Sequence, residues 1–267
     1  VLALEYPVNH YTNAVIYDLT DDKTLYELNA NQKASVASLT KILTVITAIE
    51  NIKDFNTKIT YTKEMQSLVR YDTSRAGLKV GDEITLKDLL YATILPSGAD
   101  AAIALALSLK KNIPEFVNLM NEKAQYLEMT NSSFTNVVGL DDTNHYSTAN
   151  DMLKLLKYAL KNPIFKNIYT TKEYTLTNGL KVSSTLNIYN KNINLNTDRI
   201  IGSKTVYTNK ANLCISTLIE SNNHDILIVT LNTPKTNDYY LLKDTISLIN
   251  FLENNYNNQI IYTPNDI

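Results

Sequence analysis

The chain has 267 residues, which is enough for one large domain or two small ones. Its 44% hydrophobic and 19% charged residues form an ordinary globular composition, which argues against disorder. The 25 basic and 27 acidic residues give a net charge of −2, which offers no support for a nucleic acid as the partner.

The first part of the chain mixes short strands with helices. Residues 14–19 and 24–28 are strand-like runs joined by a polar turn, so they predict a hairpin. Apolar residues spaced three and four apart predict a buried helix over residues 38–50. The same spacing predicts further helices over residues 85–95, 99–109, 113–127 and 148–161.

The last third of the chain changes to alternating apolar and polar residues, which is typical of strands. A long apolar-periodic segment near the end predicts a closing helix, and a polar tail follows it. The predicted strands cover residues 174–177, 181–186, 200–207, 213–219 and 225–231, the closing helix covers 236–254, and the tail covers 255–267.

Strands at both ends of the chain enclose a helical block. We therefore predict an α/β fold of the α+β type, in which residues 13–30 and 170–254 form one antiparallel sheet flanked by helices. The block at about residues 85–165 would then be an inserted, helix-rich subdomain. We expect residues 1–267 to form a single domain.

Cysteine and histidine are too scarce to suggest a disulfide or a metal centre. Cys214 is the single cysteine and lies in an apolar run, so we expect it to be packed and unreactive. His10, His145 and His224 are scattered along the chain. No stretch approaches the roughly 20 consecutive apolar residues of a membrane span. We expect neither a metal nor a cofactor.

The strongest chemical signal is a Ser-x-x-Lys motif formed by Ser38 and Lys41. Residues three apart share a helix face, so the amine can reach the hydroxyl. A serine becomes a useful nucleophile when a base takes its proton, and a lysine can be that base if burial and a nearby cation lower its pKa. Apolar residues at positions 42, 43 and 46 favour burial. Chance occurrence on a solvated helix is the alternative.

Two further motifs are weaker when each is considered alone. Ser97 follows a proline in the break between two predicted helices, where it could relay a proton or could cap a helix. Lys204 and Thr205 lie on a predicted strand, where they could bind a substrate carboxylate through a charge and a hydroxyl. Lys204 would also disfavour the charged form of Lys41. An ordinary exposed strand is the alternative for this pair.

In this order the three motifs resemble those of the penicillin-recognising serine enzymes. The flanking segments 89–98, 139–140 and 145–152, together with Tyr207 and Thr208 after the Lys-Thr pair, look like those of the D-alanyl-D-alanine carboxypeptidases of low molecular mass. The resemblance covers residues from about 13 to about 254. It implies a β-lactamase/DD-peptidase-like fold, with the whole chain as one catalytic domain.

The resemblance also implies residue roles. Ser38 would attack the penultimate D-Ala carbonyl of a peptidoglycan stem peptide that ends in D-Ala-D-Ala, and Lys41 would take its proton. Ser97 would help to pass a proton to the departing D-Ala, and a β-lactam would acylate the same serine. Lys204 and Thr205 would hold the terminal carboxylate, and the backbone N–H groups of Ser38 and Tyr207 would form the oxyanion hole.

Two positions depart from the family pattern. Ala99 stands where the family usually has an asparagine, and its side chain can neither donate nor accept a hydrogen bond. Asp100 is adjacent, but on a helix it should point elsewhere. Val206 stands where the family usually has glycine, and its branched side chain could crowd the substrate. We therefore expect slower acylation than in a relative with the full motifs, a shifted substrate, or a complete loss of activity.

Two alternatives remain open at this stage. A β-lactamase of the same fold would need a base for deacylation, and residues 139–151 offer Asp141, Asp142 and Asp151 but no glutamate in a matching motif. A binding or sensing module without catalysis would explain Ala99 and Val206. We expect His145 to be structural.

The resemblance places the protein outside the cytoplasm, facing the cell wall. We expect the native precursor to carry a leader. Many relatives also carry a C-terminal domain and a membrane anchor, so membrane association is expected through a segment that lies outside this chain.

Overall fold

A five-stranded antiparallel sheet forms the centre of the computed structural model, which describes residues 5–206 and 212–256. The strand order is β2-β1-β9-β8-β7, so strands from the two ends of the chain pair side by side, as predicted. The five strands are β1 (Asn13–Asp18), β2 (Lys23–Leu28), β7 (Ile200–Thr205), β8 (Leu213–Ser221) and β9 (His224–Thr233).

The helices and two small hairpins complete the fold. One hairpin pairs β3 (Lys58–Thr60) with β4 (Glu83–Thr85), and the other pairs β5 (Glu173–Thr175) with β6 (Lys181–Ser183). The helices are α1 (Thr40–Asn51), α2 (Lys63–Ser67), α3 (Leu86–Ile94), α4 (Ala99–Leu109), α5 (Ile113–Tyr126), α6 (Ala149–Ala159), α7 (Pro163–Tyr169), α8 (Thr185–Asn190) and α9 (Tyr240–Asn255).

Both faces of the sheet are buried, and strand alternation divides its side chains between two cores. On β1, Val15 and Tyr17 belong to the larger core with the helical block. Ala14 and Ile16 belong to a second core that contains the apolar residues of α9. The strand is therefore apolar on both sides, and the sheet is covered by the helical block on one face and by α9 on the other.

Helix α1 lies in the middle of the larger core. Its residues from Thr40 to Ile49 are all buried, and it contacts α3, α4, α5, α6 and α7. A helix that is enclosed on all sides buries its polar positions along with its apolar ones. This packing is the reason that Lys41, in the first turn of α1, is withdrawn from solvent.

Several boundaries differ from the sequence predictions. The predicted strand 181–186 ends at Ser183, because the Ser184 side chain accepts a hydrogen bond from the Leu186 N–H and caps the short helix α8. The closing helix begins at Tyr240, later than predicted. Ser38 lies in a 3-10 turn, Ala37–Leu39, that leads into α1. The predicted tail lies outside the described residues from position 257 onward.

Candidate active site

The side chain of Lys41 connects the two candidate serines. Its Nζ lies 3.1 Å from the Ser38 Oγ and 3.1 Å from the Ser97 Oγ. The 3-10 turn that carries Ser38 and the first turn of α1 keep the three-residue spacing on one side of the chain. Ser38 is 7% exposed and the other two residues are nearly inaccessible. The structure thus brings Ser97 to Lys41, which lies 56 positions earlier in the chain, and through Lys41 to Ser38.

Burial changes the charge state of Lys41. Removal from water disfavours the ammonium form and lowers the pKa of Lys41 to about 7, although the negative charge of Asp100 opposes part of that shift. A large fraction of the amine is therefore unprotonated near neutral pH. A neutral amine at 3.1 Å from the Ser38 hydroxyl can accept its proton, so the pair meets the geometric requirement for a nucleophile and its base.

Lys204 and Thr205 lie at the end of β7, the edge strand of the sheet. Lys204 is completely buried, and its Nζ donates to the carbonyl of Thr205 at 2.9 Å. Burial, and then the charge of Lys41, hold the pKa of Lys204 well below its usual range. That repulsion is reciprocal, so a protonated Lys204 also disfavours the charged form of Lys41. The Thr205 hydroxyl shares a hydrogen bond with the hydroxyl of Thr185, which starts α8.

Ser97 has a left-handed backbone conformation with φ of 59°, which is uncommon for residues other than glycine. The segment is held on both sides. The N–H of Gly98 donates to the Ala92 carbonyl at 3.1 Å, and the N–H of Ala99 donates to the Ser74 carbonyl at 2.8 Å. Costly backbone conformations persist where surrounding structure fixes them, and they concentrate at functional sites. Here the conformation directs the Ser97 hydroxyl towards Lys41.

Asp100 points away from the serines, as predicted, but its role was missed. The carboxylate is buried and accepts four backbone N–H groups: those of Ala76, Gly77 and Leu78 at 2.8–3.0 Å, and that of Ala101 at 2.9 Å. It therefore anchors the loop before β4 and places a negative charge near Lys41.

The two departures from the family pattern are both enclosed. Ala99 is 1% exposed at the start of α4 and offers no polar side-chain atom. Val206 is fully buried in the larger core, and its N–H donates to the Cys214 carbonyl at 3.0 Å. The valine side chain is thus packed in the larger core. Tyr207, predicted to supply an oxyanion-hole N–H, lies outside the described residues.

His145 is buried and structural in its contacts, as predicted. The N–H of Thr135 donates to Nδ1 at 3.0 Å, which leaves the proton on Nε2 to be donated to the Thr40 hydroxyl at 2.8 Å. Burial lowers the pKa of His145 to about 4, so the ring is neutral at physiological pH. The ring therefore links the loop before α6 to the residue between Ser38 and Lys41.

In the described part of the chain, one cluster of side chains has the ligand types of a cation site. Asp18, Asp21 and His224 place a ligand atom each within 4.8 Å of one another. The Asp18 carboxylate already accepts the backbone N–H groups of Thr20 and Asp21 and binds His224 at 2.8 Å. The oxygens of Asp18 therefore already have hydrogen-bond partners, and the group lies at the ends of β1 and β9, away from the serines.

Across residues 5–206 and 212–256, no helix combines the length and apolarity needed to cross a bilayer.

The comparison with protein families settles the relationship. The model of the D-alanyl-D-alanine carboxypeptidase family matches residues 5–235. The chain belongs to this family. The resemblance inferred from the three motifs is therefore confirmed, and so is the predicted fold class.

Individual carboxypeptidases and solved structures agree with this assignment. The Bacillus subtilis D-alanyl-D-alanine carboxypeptidase DacF is 30% identical over 264 residues, which are 95% of this chain and 64% of that protein. A Streptomyces D-alanyl-D-alanine carboxypeptidase is 35% identical over 170 residues, 60% of this chain and 58% of that one. This chain thus spans less than two thirds of these relatives. The crystal structure of a Streptomyces DD-transpeptidase superposes with a TM-score of 0.81 at 25% identity, covering 93% of this chain and 98% of that one.

We expect acylation by a β-lactam to depend on the charge of Lys41. Because the acid form of the amine cannot take the Ser38 proton, the second-order acylation constant should rise about tenfold per pH unit below a pKa near 7 and level off above it. A fluorescent penicillin and rapid quenching would measure it. A Lys41→Arg variant, whose guanidinium stays charged, should show no acylation at any pH. A constant that does not change across this range would contradict the assignment of Lys41 as the base.

The buried charge of Asp100 leads to a second prediction. In Asp100→Asn the ammonium form of Lys41 loses a stabilising charge, so its pKa falls and the acid limb of the acylation profile moves to lower pH. Asp88→Asn is the matched control. Asp88 is equally buried and accepts backbone N–H groups from Thr85 and Thr177, so its replacement should lower the melting temperature without moving the limb. Equal profiles for the two variants would refute the electrostatic role of Asp100.

Proposed function

We propose that this protein is a serine D,D-carboxypeptidase that removes the terminal D-Ala from peptidoglycan stem peptides ending in D-Ala-D-Ala. The observation that carries the proposal is the buried Lys41 amine, at hydrogen-bonding distance from both Ser38 and Ser97. Family membership supplies the substrate class, because the relatives are named as D-alanyl-D-alanine carboxypeptidases.

The first chemical step transfers the peptide to Ser38. The Ser38 Oγ attacks the carbonyl carbon of the penultimate D-Ala while its proton moves to the neutral Lys41 amine. The tetrahedral adduct then collapses, the C–N bond breaks, and the proton passes through the Ser97 hydroxyl to the amine of the departing D-Ala. The Lys41 Nζ lies 3.1 Å from the Oγ atoms of Ser38 and Ser97, so these three groups form a continuous path for that proton.

The second step returns the serine. Water attacks the ester carbonyl, and the shortened peptide leaves with a new carboxylate while Ser38 regains its proton. In both steps the substrate would be oriented through its terminal carboxylate by Lys204 and Thr205. A carboxylate bound there also favours the charged form of Lys204. A β-lactam, which opens on the same serine, is the second proposed ligand.

We expect turnover to be slow, because the residue at position 99 has no amide side chain. Ala99 cannot supply a side-chain hydrogen bond to the substrate or to Lys41. The hydrogen-bonding distances of Lys41 to Ser38 and Ser97 support a lowered rate over a complete loss of the reaction. Nothing in the described residues favours the β-lactamase or the non-catalytic module over this proposal.

The substrate also sets the proposed location. Stem peptides are part of the peptidoglycan outside the cytoplasmic membrane, so we propose an extracytoplasmic enzyme that acts on the cell wall and contributes to cell shape.

Release of D-Ala from an acylated Lys-D-Ala-D-Ala tripeptide tests the activity directly. Ser97→Ala should lower kcat by about 10²–10⁴ because the relay from Lys41 to the leaving amine is interrupted. Ser108→Ala is a matched control, since Ser108 lies on α4 and its hydroxyl only donates to the Ala104 carbonyl at 2.7 Å. Unchanged release in Ser97→Ala would contradict the relay, and no release by the unmodified protein would contradict the proposed function.

A further inference from the structure

Gly139 lies directly against the peptide that carries the nucleophile. Its φ is 91°, in the region that favours glycine. A β-carbon placed on it would lie 1.9 Å from the Ala37 carbonyl oxygen, 2.3 Å from the Ala37 carbonyl carbon and 2.9 Å from the Ser38 nitrogen. No side chain fits at these distances, so the backbone at position 139 is in direct contact with the Ala37–Ser38 peptide.

The loop that carries Gly139 is fixed in place from its own side. The Asn136 Oδ1 accepts hydrogen bonds from the N–H groups of Val138, Gly139 and Leu140 at 3.2, 2.7 and 3.0 Å. The Asn136 Nδ2 donates to the Leu140 carbonyl at 3.0 Å. One amide side chain therefore closes the loop 136–140 into a compact turn.

The same loop is also tied to α1. The Thr44 hydroxyl donates to the Val137 carbonyl at 2.7 Å, one turn along the helix from Thr40. The His145 ring donates to the Thr40 hydroxyl. Val137 attaches the loop itself to α1, and His145 attaches the segment that follows the loop. These contacts oppose a movement of the loop away from the nucleophile turn.

The nucleophile turn needs such a support. Ala37 has φ of 46°, a left-handed conformation that is unfavourable for a residue with a β-carbon. The turn is closed by backbone hydrogen bonds from the Leu39 N–H to the Val36 carbonyl at 3.0 Å and from the Thr40 N–H to the Ala37 carbonyl. The plane of the Ala37–Ser38 peptide sets the direction of the Ser38 N–H and the starting point of its side chain. Gly139, which lies against this peptide, therefore affects both the direction of the Ser38 N–H and the position of the Ser38 side chain.

We propose that Gly139 is a positioning residue for the acylation of Ser38. The loop 136–140 presses on the Ala37–Ser38 peptide and so fixes the Ser38 hydroxyl beside Lys41 and the Ser38 N–H towards the substrate carbonyl. Gly139 touches no substrate and takes no proton. This inference rests on the proposed function, because acylation is the step that it serves.

Glycine-to-alanine variants test this role with controls built into the chain. Gly81 and Gly179 also have left-handed φ values, 97° and 86°, but a β-carbon on either would meet nothing within 4 Å. Gly139→Ala, Gly81→Ala and Gly179→Ala therefore share the backbone penalty, and Gly139→Ala alone displaces the nucleophile peptide. The melting temperature of each variant reports the shared part.

The expected result is specific to the acylation step. At saturating fluorescent penicillin, the first-order acylation rate of Gly139→Ala should fall at least about tenfold, since small misplacements of reacting groups cost factors of this size or more. The two control variants should keep the rate of the unmodified protein within about twofold. An acylation rate for Gly139→Ala within that same range would overturn the inference.

A second variant covers the case in which Gly139→Ala does not fold. Asn136→Ala opens the loop without a clash, whereas Asn136→Asp keeps the oxygen that accepts the three N–H groups. We expect slower acylation in the first and a nearly normal rate in the second. Equal rates in the two folded variants would overturn the role of the loop.

Hydrogen exchange separates this inference from the proposed function. If the unmodified protein neither releases D-Ala nor is acylated, the proposed function has failed. Amide exchange in residues 36–40 still tests the support itself in that case. Faster exchange in Gly139→Ala than in Gly179→Ala would uphold the contact as a clamp on the turn, and equal exchange would overturn it.

Discussion

The structure depends on one constraint, which is that a lysine amine is buried beside the nucleophile, where its pKa falls to near neutrality. Burial is what makes Lys41 a base, because its pKa falls to about 7 when water is excluded. The same burial is costly for a charged group and would not persist without compensation. Two serine hydroxyls within 3.1 Å and the charge of Asp100 provide that compensation.

Several elements of the fold bury Lys41 and bring its neighbours close to it. Helix α1 is enclosed by five other helices and carries Lys41 in its first turn. The break between α3 and α4 presents Ser97, and the edge strand β7 brings Lys204 close enough for the two lysines to repel. Each element comes from a different part of the chain, so only the complete fold assembles the site. The loop at Gly139 adds a support from a fourth direction.

Local patterns in the sequence were sufficient for the reactive groups but not for their supports. The spacing of Ser38 and Lys41, and the helix break at Ser97, are short-range signals, and the fold places these groups together. The contacts of Asp100 with the loop before β4 and of Gly139 with Ala37 join residues that are distant in sequence, so no spacing could reveal them. The predicted strand 181–186 extends two residues into α8, because the helix cap at Ser184 follows directly on β6.

Intact-protein mass spectrometry after incubation with a penicillin tests the central claim most directly. The account predicts a mass increase of one drug molecule on the unmodified protein and none on Ser38→Ala, because the Ser38 hydroxyl, with Lys41 as its base, is the group that opens the β-lactam. An adduct that persists in Ser38→Ala would place the nucleophile elsewhere. If the protein without substitutions gains no mass and the drug stays fully intact, the Ser38–Lys41 pair is not reactive, and this result would contradict the account.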